Sequence, residues 1–180
     1  NQTGLGASAG DITVYATESY VQASASLQLN GKDTAIEWYI NWGNSGEIGS
    51  VSGSFAKFVD KGEFDTISAK AAVKRLDDWR YSGSIASRFW SETSIEADDT
   101  AHPEYKGGLF EEPLEVTVTI SKAMPGYLLI TDASGTSWMV PGYIFTDERG
   151  WLMPVFSLQD GVVDLPDPVE IAPGEMVRDK

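Results

Sequence analysis

Residues 137–158, "SWMVPGYIFTDERGWLMPVFSL", read as two β-arms folded about a turn. The run "DERG" at 147–150 closes on a glycine, which sets 138–146 against 151–158 as antiparallel partners. Pro141 and Pro154 have no N–H to give a ladder, so each is expected at a bulge, a strand end or an edge. Trp138 and Trp151 flank this hairpin, and alternation along the arms places both inside a β-core rather than on a ligand platform.

Upstream, "LEVTVTI" at 114–120 alternates strictly. "GYLLIT", the turn "DASG" and "TSWMV" form a further hairpin, so the C-terminal half is expected to be a four-strand meander. In the N-terminal half, 11–29 alternates with a period of two, "NGK" at 30–32 favours positive φ, and "TAIEWYINW" at 34–42 returns, giving a hairpin over 21–42. The glycine- and serine-rich run 43–55 is a loop, with a short strand near 48–58.

One helix stands out at about 68–79. Ser68 is its N-cap, and Ala72, Val73, Leu76 and Trp79 recur on one side, with Lys74, Arg75, Asp77 and Asp78 turned to water. "SIASRFW" at 84–90 fits a short strand or a helical turn, and 91–108 a long loop. The fold class is α+β, mostly antiparallel sheet with one principal helix. Residues 1–10 read as a flexible linker, 11–165 as a single β-rich domain with sublobes at 11–90 and 109–165, and 166–180 as an extended, proline-rich tail.

The 180 residues are 42% hydrophobic and 22% charged, enough apolar material for one core. With 27 acidic against 13 basic residues, net −14, the mean field repels phosphate backbones and anionic lipid. Nucleic acid is excluded as a partner, and a membrane link is expected only through a tether outside this segment. No cysteine is present, which excludes a thiol nucleophile, disulfides and cysteine-type zinc sites. The small, polar opening "NQTGLGASAG" has the character of a segment behind a cleaved signal or an anchor, so the chain is expected to be extracytoplasmic, secreted or held at the outer face of the cytoplasmic membrane.

The one histidine, His102, lies in "ADDTAHPEYKGG" beside Asp98, Asp99, Glu104 and Tyr105. A calcium loop needs ligands at set alternating positions around a glycine turn, and this order does not supply them. A Ser–His–Asp triad has only His102 to use and no GxSxG elbow. Spacing pairs none of Glu37, Glu92, Glu111 and Glu112 as a glycosidase couple. No catalytic residue, cofactor or metal ligand is assigned. Of the six tryptophans most are expected in the core, and Trp42 and Trp90, next to flexible segments, on the surface. These two, with His102 and Tyr105, form the candidate ligand or partner surface.

Two stretches, "GSVSGSFAKFVDKGEFDTISAKAAVKRLDDWRY" at 49–81 and "SGTSWMVPGYIFTDERGWLMPVFSL" at 134–158, together resemble membrane-anchored actinobacterial extracytoplasmic domains related to PepSY-type regulatory modules. The first is similar to their strand, small-x-Gly, and helix with an A-x-x-RL-x-D ending; the second is similar to their W-LVPAY-x-F hairpin. Gly142 stands where the pattern has alanine, and Pro154 interrupts the last strand. The resemblance implies a non-catalytic domain, tethered outside the membrane and used for sensing or protein contact. The expected function is therefore binding of a protein or cell-envelope component in a regulatory or scaffolding role. A carbohydrate-recognition module using exposed aromatics is the alternative, and an unrecognised hydrolase the second.

Overall fold

Asn30 and Gly31 organise the N-terminal half. Both take positive φ, 51° and 72°, the pair of left-handed residues that lets a two-residue turn match the twist of its strands. They join β3 (Tyr20–Leu29) to β4 (Lys32–Gly43), as the alternation predicts. In the computed structural model, which describes residues 7–18, 20–43, 45–93 and 117–168, β1 (Ala7–Ala9) and β2 (Thr13–Ala16) lie in succession along the free edge of β3. β5 (Ile48–Gly53) pairs with the other side of β4, and every pairing is antiparallel. β3 is longer than β2 can cover, so Ala7–Ala9, within the segment read as a linker, pairs as strand instead.

The β3–β4 ladder has one irregularity, where residues 34–36 face Leu27 alone. Thr34 is fully buried there. Its hydroxyl donates to Leu27 O at 2.8 Å and accepts from Ile36 N–H at 3.2 Å, so the bulge is closed by a side chain.

β6 (Ile120–Thr131), β7 (Ser137–Asp147) and β8 (Leu152–Phe156) form a second antiparallel sheet in meander order. It has three strands, not the expected four. Residues 117–119 lie outside the sheet and are exposed, 114–116 are outside the described residues, and Ile120 is the first residue of β6. β6 is an edge strand, so Pro125 with its missing N–H does not divide it, and the strand runs unbroken into the expected hairpin.

Two similar runs, "MPGYLLI" and "VPGYIFT", meet in register: Gly126 faces Gly142, Pro125 faces Tyr143, and Tyr127 faces Pro141. A Cβ on Gly142 would stand 2.6 Å from Val155 O and 2.9 Å from Phe156 Cα, so hydrogen alone fits where the resembling domains have alanine. Pro141 ends the β7–β8 ladder. Ser157 N–H donates to Pro141 O at 2.8 Å, but Pro141 has none to return, and Ser157 O accepts from Ile67 N–H at 2.7 Å. The chain around Thr66 thus becomes the next partner of the chain after β8.

The second sheet has a core on each face. Leu128, Ile130, Val140, Ile144 and Phe156 pack with Ile85 and Val163; Phe145 and Val155 pack with Ala72 of α1 (Ala69–Ala72). α1 is much shorter than the expected helix. Ser68 caps it as read, its Oγ accepting from Ala71 N–H at 3.3 Å. The helix then tightens into a 3-10 turn at Val73–Arg75, and the chain opens at 76–78 and restarts as a 3-10 turn at Trp79–Tyr81, where Asp78 accepts from Arg80 N–H. Of the apolar stripe only Ala72 is fully buried, while Val73 and Trp79 are exposed. The segment 84–90 supplies instead the start of a second helix, α2 (Ser87–Thr93).

Arg75, expected in water, is 8% exposed. Its Nη1 donates to Phe156 O at 3.0 Å and Leu158 O at 2.8 Å, its Nη2 pairs with the exposed Asp160 at 2.7 Å, and its guanidinium lies 4.4 Å from the Tyr81 ring centre. Arg75→Ala strips two buried carbonyls of a charged donor and is expected to cost about 2–4 kcal/mol in urea unfolding. Arg75→Lys is expected to recover less than half, because an ammonium lacks the planar fork that lets one nitrogen meet both carbonyls while the other holds Asp160. A loss below about half a kilocalorie, the range of ordinary surface sites, would show that the guanidinium is dispensable.

Candidate interaction surface

Residues paired across an antiparallel ladder share a face. On β4, Trp38, Ile40 and Trp42 stand on one face, and Glu37, Tyr39 and Asn41 on the other. Following the register outward gives the row Val14, Ala23, Ile40, Val51, and beside it Ala16, Val21, Trp42, Ile48. Ala25, Trp38 and Gly53 complete a face that is apolar across four strands. Its outer columns are open: Val14 is 62% and Val51 68% exposed, with Ile12 and Ile48 equally bare. Single exposed apolar residues are ordinary, but a contiguous sheet face of them marks an interaction surface.

The opposite face is polar and holds α2. Gln22 donates to Asn41 at 2.9 Å, and Asn41 to Ser50 at 2.9 Å. Glu37 Oε1 accepts from both the N–H and the hydroxyl of Ser87, each at 2.9 Å, and its Oε2 accepts from the Tyr39 phenol. Burial first, and that bond next, push the Tyr39 pKa up. Asp33 is buried at the base of this face. Its Oδ1 accepts from Gln28 at 3.0 Å and from the Ser26 hydroxyl. Its Oδ2 receives no well-directed hydrogen bond and is met instead by the Arg88 guanidinium as an ion pair. Glu37 is thus a structural carboxylate with both oxygens engaged.

The candidate residues do not converge. Trp42 is half-buried in the apolar face, and Trp90 is 49% exposed on α2, which is anchored on the polar side. His102 and Tyr105, with Glu111 and Glu112, lie outside the described residues. The expectation of an interior Trp151 fails: it is 55% exposed, with the Arg149 guanidinium 4.9 Å from its ring centre. The cause is Asp147, whose buried carboxylate accepts from Arg149 N–H and Trp151 N–H and so draws the turn over itself. Burial pushes the Asp147 pKa up, the bonds from Trp151 and Arg149 pull it down, and the net shift is downward. Sequence reasoning missed Val14, Ile40 and Val51. Their parity with Trp42 was readable, but alternation does not say whether the apolar side is covered.

Two shallow cavities, each about 190 Å³, lie beside Tyr81 and Asp160 and between Lys32 and Tyr143. Both fall short of the roughly 300 Å³ at which small-molecule sites begin, so the sheet face is the stronger candidate. Among the described residues no cluster of histidine, aspartate and glutamate could hold a metal ion, and no helix is long and apolar enough to cross a membrane. Compared with known proteins, the chain matches no family model, no curated protein and no solved structure.

Trp138 is half-buried against the core, and its Nε1 donates to Asp132 Oδ2 at 2.7 Å. Asp132 Oδ1 accepts from Ser134 N–H, its hydroxyl and Thr136 N–H, so the Ser134 hydroxyl foremost and Trp138 next hold the Asp132 pKa down at about 2. A depressed pKa means the folded turn binds its proton less tightly than the unfolded chain. Its contribution is therefore whole above about pH 4 and is lost as pH falls toward the folded value. Trp138 emission, read in a chain whose other tryptophans are phenylalanine, is expected to titrate near pH 2. A midpoint at about pH 4, the ordinary aspartate value, would mean that the bonds around Asp132 do not form in solution.

Proposed function

We propose that this chain is a non-catalytic extracytoplasmic domain, tethered to the membrane through material outside this segment, that binds a protein of the cell envelope in a regulatory or scaffolding role. The observation that carries the reading is the apolar face of the N-terminal sheet, open at Val14, Ile48 and Val51. The resemblance to PepSY-type modules supports a tethered, non-enzymatic role. The engagement of Glu37 by Ser87 and Tyr39 supports it too, since it removes one carboxylate from the hydrolytic candidates. Carbohydrate recognition draws less support, because the Arg149 guanidinium already lies over the Trp151 indole.

A photo-crosslinking residue placed at Val14 in the chain as its own cells make it is expected to give one discrete protein adduct. The same residue at Thr13, on the opposite face of β2, is expected to give none. Equal labelling from both positions, or adducts with polysaccharide alone, would refute the reading.

A further inference from the structure

Strand edges differ sharply across this molecule. On the second sheet, the outer edge of β6 is met by Ser84, which exchanges N–H···O bonds of 2.9 Å with Leu129, and Pro125 there has no N–H and gives its carbonyl to Lys32. The outer edge of β8 is met by Ser82 and Arg75. Among the described residues β5 has no such cover. It is six residues, "IGSVSG", without charge or proline, the devices by which an edge is normally guarded.

The phase of β5 shows which groups are open. Ser54 N–H donates to Glu37 O at 3.1 Å, so Ser50, Ser52 and Ser54 turn their backbone toward β4, and Val51 and Gly53 turn theirs outward. Among the described residues those outward groups have no hydrogen-bond partner. The rim carries a second unmet group. Trp38 Nε1 is buried without an acceptor, and the carbon bonded to it, Cδ1, would stand 2.4 Å from a Cβ on Gly53. The edge therefore offers backbone donors and acceptors beside an apolar face that ends abruptly at Val51.

We propose that β5 takes up an extended, basic segment of a partner protein as an added strand. The inference rests on the protein-binding reading above and names its mode. A residue set opposite Val51 joins the apolar face, and its neighbours join the polar face beside Ser50 and Ser52, so the segment alternates apolar with polar residues. Its charge follows from the field: the chain carries −14, and residues 7–60 hold six acidic side chains against two basic ones. That field draws a basic strand and repels a second copy of this chain.

The test uses fluorescence anisotropy with labelled nine-residue peptides that alternate Val with Lys, alternate Val with Glu, or carry a central Pro in the Val/Lys pattern. The Val/Lys peptide is expected to bind, more weakly as salt rises, and the other two at least tenfold more weakly. Val51→Pro removes an outward N–H without touching the β4 ladder, and Val51→Lys guards the edge with a charge. Each is expected to cut Val/Lys binding at least tenfold at an unchanged melting temperature. The proposal is overturned if neither variant weakens binding, if no peptide binds at millimolar concentration, or if wild type sediments as a dimer that Val51→Lys dissociates. Persistence of the Val14 crosslink in the Val51→Pro chain would overturn strand addition while leaving the binding face standing. Loss of specific crosslinking in the unaltered chain would remove the binding reading itself.

Discussion

A guanidinium buried against the outer carbonyls of β8 is the constraint from which the other contacts follow. A three-stranded meander has two faces and two edges to satisfy and little core of its own. Arg75 meets Phe156 O and Leu158 O, lies against the Tyr81 ring, and so fixes where the chain from Thr66 to Ile85 must run. That run covers both edges of the second sheet and lays Ala72 and Ile85 on its opposite faces. It also decides where α2 begins, and α2 reaches the N-terminal sheet beside β6, whose Pro125 and Tyr127 meet Lys32 and Asn30.

There the contact is polar. Glu37 receives Ser87 and Asp33 receives Arg88, so the side of β4 that would ordinarily face solvent is the side spent on the protein's own helix. Burying Asp33 costs desolvation unless its oxygens are met, and Ser26, Gln28 and Arg88 meet them. The apolar side of the same sheet is buried at its turn end, at Leu29 and Ile36, and bare at its outer columns, Val14, Ile48 and Val51. At those outer columns the sheet departs from the usual two-layer domain, in which the apolar face is the one that packs.

Both hairpin turns of the C-terminal sheet and the turn at Asn30 were legible, because Gly31, Gly135 and Gly150 occupy the positive-φ positions that such turns require. So was the cap at Ser68. The helix it begins was overread, since spacing counts Val73 and Trp79 as a stripe but cannot register that Arg75 is captured by a distant strand. The fourth strand failed for a related reason: alternation at 114–120 records a pattern, and pairing depends on what lies beside it. Trp151 followed the parity of its arm yet was drawn out by Asp147, a local polar demand that outranks alternation at a turn. Within the candidate surface, Trp42 was read by position, but its real neighbours, Ile40, Val21 and Ile48, come from register.

An open apolar patch at the edge of a sheet is ordinarily a route to self-association, and β5 lacks the charges that block edge pairing. The large negative charge supplies the missing protection at a distance. Two copies approaching face to face bring together fields of the same sign, and that repulsion acts before any contact forms, while a partner of opposite sign feels attraction along the same path. The screening length at physiological salt is about 8 Å, shorter than the sheet is wide, so the selection operates at close approach and weakens as salt rises. The acidic composition and the bare edge are then one design: the edge stays available because the field, not the strand, discriminates between copies of this chain and a basic partner.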